Sequence, residues 1–148
     1  MLALHPEDPP VPNIAGTPRI TRDIPAYKRV VDIIESPANG LEFCQGCFSE
    51  MGCDVIEAIR YFGSRKKILY VHFRDVRGTA EDFAETFIDE GQTDMFEAMR
   101  AYHEAGFDGV LIVDRTPHVV DDTDWGHRGR AYAMGYMKAL KAMVERLS

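Results

Sequence analysis

Positive charge is in short supply: 17 Lys and Arg face 24 Asp and Glu across 148 residues, a formal net charge of −7. Nucleic-acid binders draw most of their affinity from cations that neutralise phosphates, so this balance excludes a polyanion partner. Long apolar runs are missing too; none approaches the ~20 residues that a membrane-spanning helix needs. The N-terminus lacks a basic segment leading into an apolar one, so no secretory leader is expected. Cysteine is sparse, with only Cys44, Cys47 and Cys53. An odd set cannot close into disulfides, and with the missing leader it points to a reducing, cytoplasmic setting where thiols pack or bind ligands. There is no internal repeat or low-complexity tract, and "PEDPPVP" after His5 reads as a rigid loop leaving a strand.

What is present suits one domain over residues 1–148, with a hydrophobic content of 45% that can furnish a core. Four apolar stretches bounded by turn residues read as buried strands: Leu2 to His5, Leu41 to Cys44, Ile68 to Asp75 and Gly109 to Asp114. Between them lie helical patterns at Pro25 to Glu35, Asp54 to Phe62, Asp94 to Ala105 and His127 to Leu147. In the third, Met95, Met99 and Tyr102 share a face, Asp94 is placed to cap, and Gly106 to terminate. Such alternation implies right-handed βαβ crossovers and an α/β fold of about four parallel units. Long connections follow the strands, at Pro6 to Ile24 and Arg115 to Gly126, where α/β folds place their ligands.

Each strand ends on a residue type that binds divalent metal: His5, Cys44, His72 and Asp114. A lone strand histidine is usually a satisfied core residue, but four such ends are a pattern. Neighbouring parallel strands lie ~5 Å apart, so these side chains can converge on one ion despite their separation in sequence. A mixed set of imidazole, thiolate and carboxylate leaves zinc, manganese, iron and cobalt open. "CQGC" (Cys44 to Cys47) also reads as a redox pair or half a zinc ribbon, yet the ribbon lacks a second pair and the glycines suggest a loop. Arg74 is suited either to clamp a carboxylate or to pair with Asp75 or another acid. His127, Arg128 and Arg130 open the last helix, whose N-terminus favours an anion, and His103 has no assigned role.

With these residues in hand, the chain resembles the C-terminal half of the mannonate dehydratase family. "LALHPEDPP" is similar to that family's His-Pro-Asp-Asp-Pro-Pro signature, and "NGLEFCQG" to its Asn-Gly-Leu-x-Phe-Cys-x-Gly segment. "VHFRDV", "DMFEAMRAY" and "GRAYAMGYMKAL" follow in the family's order. The resemblance implies part of a TIM-type (β/α)8 barrel that dehydrates D-mannonate to 2-dehydro-3-deoxy-D-gluconate with a divalent ion, usually manganese. It places the metal ligands on His5, Cys44, His72 and Asp114, and a sugar-acid contact on Arg74. Arg115 stands where the family usually has a histidine. A guanidinium is a poor proton shuttle, so proton transfer falls to His118 or His127.

The family's first half has no counterpart in this sequence, and a barrel needs eight strands over typically ~250 residues. The expectation is a half-barrel completed by a second copy or by a complementing N-terminal half, acting on a sugar acid. Two other readings stay open: a metal-binding module without turnover, and a metal-dependent sugar isomerase or epimerase, against which the thiolate of Cys44 speaks.

Overall fold

The computed structural model describes residues 1–148. In chain order the elements are β1 (Leu2–Leu4), β2 (Asn13–Ile14), β3 (Thr17–Pro18), α1 (Ile24–Ile33), β4 (Asn39–Cys44), α2 (Gln45–Glu50) and α3 (Val55–Ser64). They continue as β5 (Ile68–His72), β6 (Val76–Thr79), β7 (Asp82–Glu85), α4 (Met95–Glu104), β8 (Val110–Ile112) and α5 (His127–Leu147). Four strands form one parallel sheet in the order β1-β4-β5-β8, and two small antiparallel hairpins, β2-β3 and β6-β7, sit apart from it. Parallel strands in sequential order joined by crossover helices are the arrangement expected of part of a TIM-type barrel.

Helix starts follow a shared device. Asp23, Asp54 and Asp94 precede α1, α3 and α4, and each carboxylate accepts from a backbone N–H three residues on, at 2.8, 2.9 and 3.0 Å. These contacts satisfy donors that the first helical turn leaves unpaired. α5 starts after Gly126 instead, and Asp122 accepts from Arg128 and Gly129 N–H at 2.9 and 3.2 Å. Met95, Met99 and Tyr102 are buried on α4, and Gly106 takes a φ of +65° just past its end, as the sequence pattern predicts.

The core lies between the sheet and its helices. Leu41, Phe43, Val71 and Phe73 pack there with Tyr27, Ile59, Phe62 and Tyr102. Phe43 stacks on Phe48 at 4.0 Å between ring centroids, which turns α2 tightly against the end of β4. The opposite face of β4 and β5 presents Glu42, Cys44, Tyr70 and His72, with Glu42 paired to Tyr70 and Cys44 to His72 in register.

Three sequence expectations need correction. Only β4 and β5 are substantially buried; Leu2, Leu4 and Val110 are exposed, because β1 and β8 lie at the sheet's edges. The strands are shorter than their apolar runs, ending at Leu4, His72 and Ile112, since ladder pairing stops where the chain turns onto the rim. The residues after Cys44 are a wholly buried helix, not a loop: Gln45 and Tyr102 hydroxyl share a hydrogen bond at 3.4 Å, and Phe48 anchors the turn among aromatics.

Candidate metal centre at the strand ends

Parallel register brings the four predicted residues to one rim. His5 follows β1, Cys44 and His72 close β4 and β5, and Asp114 lies two residues beyond β8, whose Ile112 is paired with His72. Donor atoms of Cys44, His72 and Asp114 all lie within 4.8 Å of one another, as do those of His5, Cys44 and Cys47 and those of His5, Glu42 and His72. The His5 and His72 rings are 5.1 Å apart. Asp114 is held at a φ of +59°, a left-handed conformation costing a non-glycine residue about 1 kcal/mol, and strain of this kind gathers at functional sites.

The imidazoles are oriented by their outer contacts. His5 Nδ1 lies 2.6 Å from the Pro6 carbonyl, so it donates there and leaves Nε2 for the rim. His72 Nε2 lies 2.6 Å from Glu42, while its Nδ1 faces Asp114 at 3.4 Å, buried and without a hydrogen-bond partner. An orphaned buried lone pair among a thiol and a carboxylate is suited to a cation. The donor set, two imidazoles with one sulfur and one carboxylate, matches the preferences of first-row divalent metals.

Behind this rim Arg74 is 1% exposed, with its guanidinium fully engaged. Nε donates to Cys44 Sγ at 3.3 Å, Nη1 to Glu85 at 2.9 Å, and Nη2 to Cys47 Sγ at 3.2 Å and Glu50 at 3.1 Å. Asp8 lies 3.4 Å away and is shared with Arg115 at 3.2 Å. A Cβ on Gly46 would run into this guanidinium, so the close approach requires glycine there. Asp75, the other partner considered from sequence, is occupied elsewhere: it accepts from Val76 and Thr93 N–H at 2.8 and 3.0 Å.

Acids outnumber cations in this cluster, and the titrations respond. The hydrogen bond from Cys47 outweighs burial and, with His5 and Arg74, holds the Cys44 thiol well below its ordinary range. The same hydrogen bond, reinforced by burial, pushes Cys47 far up, so the pair behaves as one thiolate and one thiol. Burial alone would lower His5, but the hydrogen bond and charge of Cys44 raise it to about 8. Burial also lifts Glu50 to about 7 against the pull of Arg74.

The Glu50 shift has a stability consequence. A carboxyl whose folded pKa is raised binds its proton more tightly when folded. Its contribution is therefore complete below the ordinary carboxylate value and lost as pH rises through about 7. Between about pH 5 and about pH 8 the wild type should lose on the order of 1–3 kcal/mol relative to E50Q. Urea melts of both proteins at the two pH values check this; parallel pH dependence would refute it.

Two of the remaining predicted residues, His118 and His127, are not drawn into the cluster. His118 is exposed, and His127 is exposed with Nδ1 2.9 Å from the Thr123 hydroxyl. Arg115 does reach it, from a side chain 54% exposed. Sequence reasoning missed Glu42, Glu50 and Glu85, and weighed Cys47 only as half of a CxxC pair. Strand alternation puts Glu42 on the face of Cys44, which was a usable signal. Glu85 arrives on the β6-β7 hairpin, for which the sequence carries no period.

A profile of the D-mannonate dehydratase (UxuA) family matches residues 1–148. The chain belongs to that family. It is 35% identical to the mannonate dehydratase of Thermotoga maritima over 145 residues, covering 95% of this chain and 39% of the relative. With the Enterococcus faecalis mannonate dehydratase the identity is 36%, covering 94% and 40%. The crystal structure of mannonate dehydratase from Streptococcus suis superposes with a TM-score of 0.87 at 29% identity, over 98% of this chain and 43% of that one. A D-tagatose 3-epimerase-like protein shares the fold, with a TM-score of 0.70 at 19% identity. The chain thus spans about two fifths of the length of the family members it matches, and no helix in it is long and apolar enough to cross a membrane.

Proposed function

We propose that the strand-end cluster is the metal centre of a dehydratase acting on D-mannonate to give 2-dehydro-3-deoxy-D-gluconate, in a cytoplasmic setting. The observation carrying this is the orphaned, buried His72 Nδ1 set among Cys44, Asp114 and a surplus of acids. His5, Cys44, His72 and Asp114 would hold a divalent ion, manganese by family resemblance, with iron, cobalt or zinc compatible with the donors. When bound, it supplies Lewis acidity toward the sugar acid's carboxylate and adjacent hydroxyl as the proton alpha to the carboxylate is taken.

The chain's own residues divide the remaining work. Arg74, buried and saturated with protein contacts, holds Cys44 in its thiolate form rather than reaching solvent. Arg115, half exposed and resting on Asp8 and Glu85, is the guanidinium free to swing onto a substrate carboxylate. His118, on the last long loop, and His127, at the start of α5, are exposed and outside the cluster, and are the side chains assigned to protonate the departing 3-hydroxyl.

Turnover requires the rest of the barrel. β1 and β8 offer unpaired parallel edges, and exposed Leu2, Leu4 and Val110 offer apolar surface for further strands, from a second copy of this chain or a complementing N-terminal half. The test is light scattering after size exclusion, with an assay of D-mannonate and Mn2+ on each species. Dehydration by an assembled species supports the reading. A stable monomer that binds metal without forming product would make the chain a metal-binding module instead.

A further inference from the structure

His72 is gripped from both sides, and the two contacts divide its nitrogens. Nε2 lies 2.6 Å from Glu42 Oε1. A carboxylate oxygen only accepts, so Nε2 carries the hydrogen and Nδ1 keeps the lone pair. That lone pair faces Asp114 Oδ2 at 3.4 Å, buried, with no donor to meet it. Asp114 Oδ2 also lies 3.4 Å from Arg74 Nε, but that N–H is turned to Cys44 Sγ, so Nδ1 itself stays without a donor, and a cation seated between Nδ1 and the carboxylate would satisfy both.

We propose that Glu42 is a positioning residue for the metal centre, fixing the tautomer of His72 so that Nδ1 is its ligand atom. This rests on the metal reading given above. Glu42 lies two residues before Cys44 on β4, on the same face, so its carboxylate sits one layer further from the rim than the thiolate. The register that pairs Cys44 with His72 and Glu42 with Tyr70 lets the carboxylate reach diagonally to the imidazole. Tyr70 meets the His72 ring edge-on at 5.7 Å between centroids and limits its rotation. His5 is set the opposite way, with Nδ1 spent on Pro6 and Nε2 turned to the rim. The two histidines therefore enter through different nitrogens, each fixed by an oxygen on its far side. Such outer partners are worth about 10–100-fold in metal affinity.

The test has two readouts, neither of them turnover. Long-range 1H–15N spectra of the metal-free protein report the His72 tautomer, and competition with a fluorescent chelator reports Mn2+ affinity, for wild type, E42Q and E42L. Wild type should show the Nε2–H form. E42Q keeps an acceptor, so it should keep that tautomer with a modest loss, whereas E42L should mix tautomers and bind Mn2+ about 10–100-fold more weakly. An Nδ1–H tautomer in wild type overturns the inference without needing any variant to fold. Equal loss in E42Q and E42L with the tautomer retained would assign the effect to charge and also overturn it. Wild-type binding with unchanged affinity in E42L defeats this inference alone, while absence of Mn2+ binding by wild type defeats the metal centre and this inference together.

Discussion

Cys44→Ser is expected to bind divalent metal about 100-fold more weakly than wild type, with a larger loss for Zn2+ than for Mn2+. Structural zinc sites are worth an apparent ~10–16 kcal/mol across four ligands, or about 3 kcal/mol per donor. The asymmetry between ions follows from sulfur's softness, which favours zinc over manganese. Cys44 is also the donor most prepared for the task, because Cys47, His5 and Arg74 all hold it as thiolate. Cys53→Ser is the matched control: that thiol donates to the Phe48 carbonyl at 3.0 Å and lies outside every donor cluster. Chelator competition on the three proteins decides the matter, and equal affinities for wild type and Cys44→Ser would remove the thiolate from the site.

Arg74→Met should cost about 3–5 kcal/mol of stability, the usual penalty for stripping the counter-ion from buried charges. The side chain removed is 1% exposed and touches two sulfurs and four carboxylates, those of Asp8, Glu50, Glu85 and Asp114. Arg115 cannot replace it, since its guanidinium meets only Asp8 and Glu85. The loss should shrink in acid, because burial already raises Glu50 and Glu85 and protonation relieves the uncompensated charge. Urea unfolding midpoints at neutral and at mildly acid pH measure both effects. A penalty that is small, or constant with pH, would mean that Arg74 is not the charge that balances this cluster.

Much of the scaffold is legible in the residues themselves. Helices α1, α3, α4 and α5 follow from apolar periodicity, and α4 also from Asp94 ahead of its first turn and Gly106 past its last, all local signals. The convergence of His5, Cys44, His72 and Asp114 is legible because parallel strands end side by side, so position at a strand end substitutes for proximity in sequence. What escapes is non-local. α2 reads as a loop because "QGCFSE" is short and glycine-bearing, and it becomes helical by packing Phe48 onto Phe43 and Tyr27. Arg74 looks like a ligand clamp because nothing near it in sequence foretells Glu85 arriving on a hairpin or Glu50 on α2. Strand exposure was misjudged since an apolar run does not tell an edge strand from a central one.

The most direct test of a metal centre at the strand ends is anomalous X-ray diffraction from crystals of the protein equilibrated with Mn2+. The expected result is a single strong anomalous peak within bonding distance of His5, Cys44, His72 Nδ1 and Asp114. A peak elsewhere, or none at these four residues under saturating Mn2+, would contradict it.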